Sequence, residues 1–223
     1  MPRASSNTAP RAASAATATE PARPIAEHIL DVAGALFHRR GFGAAGVDLI
    51  VRESGVAKMT LYRYFASKDD LIAAWLDRVD AQFWRYFETW AGPADRPARD
   101  RLLGVFAGLE KLVSSPTCLG CPFLLAAAEF PEPETRAHDV ARRHKEQLRA
   151  RLRDLAAQTG ADDADALGDQ LLLLMDGAFM AARLFGADDH PGRHVLGAAT
   201  ALVGPTRREA RAKTAAPRAA TRR

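Results

Sequence analysis

A chain of 223 residues with 48% apolar side chains is long enough for one or two domains and a proper core. Its longest apolar stretches, Cys121 to Ala128 and Leu171 to Met175, fall far short of the ~20 residues that cross a bilayer. The N-terminus carries no apolar signal-peptide core and two cysteines make no disulfide framework, so the expectation is a cytoplasmic protein with no membrane partner.

The net charge of +4 is unevenly spread. Residues 1–24 hold three Arg and one Glu, and residues 204–223 hold six Arg, one Lys and one Glu. Between these ends, residues 25–68 are net +2 and residues 69–203 net −6. A positive first part suits a nucleic-acid partner better than the bulk isoelectric point alone would argue. Residues 1–23 are Ala, Ser, Thr, Pro and Arg with no large apolar side chain after Met1, and residues 204–223 are similar, so both read as disordered tails.

Between the tails period-two alternation is absent and the helical period dominates, which predicts an all-α chain. A first helix runs over about 24–40, with Ile29, Val32, Ala33, Leu36 and Phe37 on one stripe, and stops at Gly41. Short helices follow at 47–54 and 58–65 on either side of Gly55, then a long one at 68–91 ended by Gly92-Pro93. Further helices fall at about 96–115, 122–130, 134–159, 163–186 and 191–203, separated by Ser114-Ser115-Pro116, Pro131 with Pro133, Gly160 and Asp189–Gly192. That makes about nine helices.

The stretch VDLIVRESGVAKMTLYRYF, Val47 to Phe65, carries the chemistry. Two short helices flank Gly55, which accepts the positive φ of a tight turn, and Val56 can plug the core beneath it. Ile50, Val51, Leu61 and Phe65 supply a shared apolar side. The opposite side of the second helix presents Lys58, Thr60, Tyr62, Arg63 and Tyr64. This is the spacing of a helix-turn-helix, whose second helix enters the DNA major groove.

The run from Ile29 to Leu71 resembles the N-terminal domain of the TetR family. The matching features are Ala35-Leu36-Phe37, Arg40-Gly41-Phe42, Gly55-Val56, Thr60 to Phe65 and Ser67-Lys68. The resemblance implies a helix-turn-helix domain at 24–68 (motif 46–65) and a helical ligand-binding and dimerisation domain at 69–203. It implies that Thr60, Tyr62, Tyr64 and Lys68 hold phosphates, leaving Lys58, Met59 and Arg63 to meet base edges, with Arg the usual reader of guanine. Gly46 and Ala57 depart from the hydroxyl residues usual at the starts of the two short helices. Losing such a cap costs ~1 kcal/mol, less for Gly than for Ala, and removes a hydroxyl that could touch phosphate.

In residues 69–203 the helix at 163–186 is apolar nearly all round from Leu171 to Phe185, so it faces both its own core and a partner. Gly177, Ala178, Ala181 and Phe185, with Val195 and Leu202 on the last helix, are the candidate seam; the resemblance implies a homodimer on a palindromic operator. Trp84, Phe87, Phe106, Leu109, Phe123, Met175 and Phe179 are candidates to line a cavity for an apolar or aromatic small-molecule effector. Asp176, which interrupts the most apolar helix, is a candidate polar anchor. Plain core packing is the competing reading for each. Cys118-Leu-Gly-Cys121 lacks the second pair that zinc needs and the setting of a thioredoxin fold; a structural role or a redox switch remains for it. No metal or cofactor is expected. No glycine-rich phosphate loop, nucleophile elbow or His-Glu-x-x-His points to an enzyme. The competing reading to a ligand-released repressor is an architectural DNA binder, or an activator on the same fold.

Overall fold

The computed structural model describes residues 24–205. The predicted tails at 1–23 and from Thr206 onward lie outside the described residues. Among those described there are nine α-helices, one 3-10 turn and no strand: α1 (Ile25–Arg40), α2 (Val47–Ser54), α3 (Lys58–Tyr64), α4 (Lys68–Ala91), α5 (Ala98–Val113), α6 (Pro122–Glu129), α7 (Arg136–Gln158), α8 (Ala164–Phe185), the turn Pro191–His194 and α9 (Val195–Val203). None is long and apolar enough to cross a membrane.

The helix starts follow local chemistry. Ser67, Thr135 and Asp163 each cap with a side-chain oxygen that accepts from a backbone amide three residues on, and Pro122 opens α6 where its missing N–H costs nothing. Gly46 and Ala57 offer no side-chain cap to α2 and α3. Gly55 takes φ +68 at the end of α2, the left-handed conformation that the tight turn requires. The single helix expected over 191–203 is instead a 3-10 turn running into α9, because Pro191 fixes the backbone and leaves only four residues before Val195.

α1 packs on α2, α3 and α4, while α4 runs on against α5 and α7. α7 lies along α8 and α6, and α9 folds back over α5 and α8. At the junction of α1 with α4 sits an aromatic cluster. Phe37, Phe42 and Trp75 meet at centroid distances of 5.2 to 5.9 Å, and Phe130, just after α6, adds a contact of 5.7 Å to Phe42. Phe37 and Phe42 are fully buried, each contributing ~1.5–3 kcal/mol of hydrophobic stabilisation. Trp75 reaches this depth because Gly34 opposite has no side chain. A Cβ there would lie 2.7 Å from Trp75 Cδ1 and closer still to Nε1.

Candidate nucleic-acid interface and ligand cavity

α2 and α3 are held from below by Ile50 and Leu61, both fully buried, and by Phe65 at the end of α3. With these turned inward, the helical period sends Met59, Tyr62, Arg63 and Tyr64 outward. Met59 is 81% exposed, the most exposed large apolar side chain among the described residues. The Arg63 guanidinium lies over the Tyr64 ring, 5.2 Å from its centroid, which stiffens a long side chain before it meets anything else. Thr60 is half-buried beside them.

Both lysines of the expected site have partners. Lys58 Nζ donates to Asp48 on α2 at 2.9 Å, and this bond with Asp48's charge raises its pKa. Both groups are exposed, so the pair is weak and exchangeable. Lys68 Nζ donates to the carbonyl of Phe42 at 2.6 Å and, more loosely, to that of Gly43 at 3.4 Å, and partial burial lowers its pKa. Lys68 therefore braces the turn between α1 and α2. From the other side of the same turn, Glu129 accepts from the amides of Phe42 at 3.1 Å and Gly43 at 2.6 Å. An anion on the amides and a cation on the carbonyls clamp one short loop, and the anion belongs to α6. An ion pair between Asp70 on α4 and Arg136 at the start of α7 adds a second tie nearby.

A cavity of about 380 Å³ opens on the other side of the aromatic cluster. Its walls come from α1 (Gly34, His38), α4 (Trp75, Phe83), the segment from Thr117 into α6, α7 (His144, Lys145) and α8 (Phe179). Of the residues expected to line a cavity, Phe123 and Phe179 do so. Phe87, Phe106, Leu109 and Met175 do not: each is fully buried between helices, as core packing alone would have it. Trp84 packs edge-on against Phe83 and beside Phe87 instead of facing the space. Asp176 does not reach it either, because it pairs with Lys145 Nζ at 2.5 Å.

The α1 wall, Gly34 and His38 above all, was not anticipated from the sequence. A glycine inside an amphipathic helix was the one signal that something large approaches there. Burial, with the nearby Arg183 charge, lowers the His38 pKa, and its Nε2 has no partner among the described residues. Cys118 and Cys121 border the cavity as free thiols. Burial pushes the Cys118 thiol up, away from the thiolate that a redox switch needs. Among the described residues no three His, Cys, Asp or Glu side chains cluster as metal ligands would.

The candidate seam divides. Gly177, Phe185 and Leu202 lie exposed and Ala181 half-buried, whereas Ala178 and Val195 are buried within the subunit. The cause is the chain's return: the turn at Pro191–His194 and α9 fold onto α8, and the Ala178 carbonyl sits against Gly192. What remains open on α8 is a stripe of which the sequence analysis named Gly177 alone: Leu173, Gly177, Met180 and Leu184, at spacings of four, three and four residues. Leu173 is 72% and Leu184 75% exposed.

Comparison with known proteins agrees with this geometry. The model described as "Bacterial regulatory proteins, tetR family" matches residues 29–75, and that described as "Tetracyclin repressor-like, C-terminal domain" matches residues 98–196. The crystal structure of a TetR-family transcriptional regulator from Streptomyces coelicolor superposes with a TM-score of 0.72 at 32% identity, covering 80% of this chain and 92% of that one. The reduced form of Escherichia coli NemR has the same fold, with a TM-score of 0.70 at 20% identity over 82% of this chain and all of that one. A Mycobacterium tuberculosis HTH-type transcriptional regulator is 30% identical over 91 residues, 41% of this chain and 45% of its own length. The match thus spans under half the length of that curated relative.

Proposed function

The chain belongs to the TetR family of bacterial regulatory proteins, and on that premise we propose that it is a homodimeric repressor of the cytoplasm, released from a palindromic operator by a small apolar or aromatic ligand. Residues 24–68 are then the DNA-binding domain, and residues 69–203 sense the ligand and dimerise. The observation that carries the reading is the outward side of α3, where Met59, Tyr62, Arg63 and Tyr64 stand exposed over a fully buried Leu61. A seven-residue helix with that many exposed large side chains fits a groove better than it fits water. Arg63 and Met59 meet base edges, and Tyr62, Tyr64 and Thr60 meet phosphates. Lys58 reaches DNA by exchanging Asp48 for a phosphate, Lys68 by offering the N–H its carbonyl partners leave spare, and the α2 start at Gly46 approaches the backbone without a hydroxyl.

A short recognition helix reads few base pairs, so two copies related by a two-fold axis are needed. The open stripe of α8, with Ala181, Phe185 and Leu202, supplies the self-complementary patch. Release follows from linkage: a ligand that prefers the subunit arrangement unable to span both half-sites weakens DNA by the factor by which DNA weakens it. The clamp formed by Glu129 and Lys68 supports this coupling, since α6 borders the cavity at one end and holds the α1–α2 turn at the other.

The test is selection of an operator from random duplexes, then comparison with Arg63→Ala. The variant is expected to lose ~1–3 kcal/mol on the operator and to relax base preference at one position per half-site, while random DNA changes little. Equal losses on operator and random DNA would remove Arg63 from base reading.

A further inference from the structure

We infer that the cavity takes an uncharged, flat aromatic molecule that donates a hydrogen bond, from a hydroxyl or an N–H, to Nε2 of His144. The inference rests on the ligand-responsive reading above and narrows it to a chemical class.

The imidazole of His144 is fixed on three sides. Phe123 stacks on it at 3.7 Å with planes 11° apart, Phe83 meets it edge-on at 4.9 Å, and Asp80 Oδ1 lies 2.6 Å from its Nδ1. A carboxylate can only accept, so the proton sits on Nδ1. Burial is the larger influence on this ring and pulls its pKa down to about 4, against Asp80, which raises it; Lys145 lowers it further. The ring is therefore neutral near pH 7, and the pair with Asp80 is a hydrogen bond to a neutral imidazole, not an ion pair. Neutral imidazole protonated at Nδ1 has a lone pair at Nε2. The hydrogen bond that holds the ring runs from Nδ1 to Asp80, which leaves Nε2 to whatever enters the cavity that His144 borders.

Charge excludes the obvious alternative, a carboxylate or phosphate. The two full cations on the wall are already paired: Arg78 with Glu27 at 3.2 Å and Asp31 at 2.8 Å, Lys145 with Asp176 at 2.5 Å. An anion entering here would break one of these pairs and face the His144 lone pair. An apolar ring without a donor would cover Nε2 and leave it dry, which costs affinity. The walls beside it, Trp75, Phe83 and Phe179, are aromatic, and about 380 Å³ suits two or three fused rings.

The probes are indole and benzofuran, the same ring frame with N–H replaced by a bare oxygen, and indole-2-carboxylate as the anion. Binding to the full chain is measured by calorimetry without DNA. Indole is expected to bind about tenfold tighter than benzofuran, a difference of ~1.4 kcal/mol, and the carboxylate weaker than indole. In His144→Phe the two neutral rings should bind within about twofold of each other. Asp80→Asn keeps the imidazole but removes the charge that holds the proton on Nδ1, so the preference for indole should shrink there too. Circular dichroism confirms that each variant is folded. Benzofuran binding as well as indole, a preference surviving in both folded variants, the carboxylate binding best, or no ring binding at 2 mM each overturns the inference. Release of operator DNA is scored separately. A donor preference that leaves operator affinity unchanged would refute release and leave this assignment standing.

Discussion

Replacing Glu129 with Ala should free the α1–α2 turn without disturbing either helix. The side chain accepts two hydrogen bonds, from the amides of Phe42 at 3.1 Å and Gly43 at 2.6 Å. A hydrogen bond to a charged group contributes ~1.5–3 kcal/mol when buried. Glu129 is exposed and water replaces part of what is lost, so ~1–2 kcal/mol for the pair is the reasonable magnitude. Local opening of the turn should then become ~5–30-fold more frequent. Amide hydrogen exchange reads this directly: Phe42 and Gly43 should exchange faster by that factor, and amides in the middle of α7 should not. Glu129→Gln, which keeps one accepting oxygen but no charge, should fall between. Exchange at Phe42 and Gly43 within twofold of the parent would show that the clamp holds nothing, and the route from α6 to the DNA-binding helices would lose its support.

An unpaired charge at the seam tests the dimer: Leu184→Glu should give monomers by light scattering, and a persistent dimer would move the interface off α8. Gly34→Ala should lower the melting temperature by several degrees, because overlap with the buried Trp75 ring costs ~1–3 kcal/mol, more than the ~1 kcal/mol that alanine gains in a helix. A melting temperature equal to or above the parent's would show that Trp75 yields. The depressed pKa of His144, about 4 against an ordinary 6.5, means that between these pH values the unfolded chain holds a proton that the folded one does not. Stability should therefore fall as the pH drops from about 6.5 towards 4, and urea denaturation should find this slope reduced in His144→Phe. An identical slope in the variant would place the proton uptake elsewhere.

Helix number and limits were legible because breakers act locally: Gly41, Gly55, Gly92-Pro93 and the Pro131–Pro133 pair end helices whatever surrounds them. The outward residues of α3 were legible for a similar reason, since a short amphipathic helix has only two sides. The cavity was not. Phe87, Phe106, Leu109 and Met175 have the composition of a pocket wall and the burial of a core, and only the packing of α1 against α4 decides which residues border empty space. On α8 the apolar residues continue round the helix, so no polar mark told Ala178, which turns inward, from Leu173 and Leu184, which turn out.

The α1 wall of the cavity bears on the direction of the response. A bound molecule there touches the helix that carries the DNA-reading unit as well as α4, α7 and α8, so it acts as a spacer between them. A spacer works by its thickness. A thin ring should leave α1 where it stands, packed on Trp75, while a thicker one of the same chemistry should push α1 away, and the two should bias the subunit toward opposite arrangements. Within one series of donor-bearing aromatics, then, the smallest members and the largest should act on operator binding with opposite sign, and an intermediate one should occupy the site, compete with both, and leave the DNA where it was.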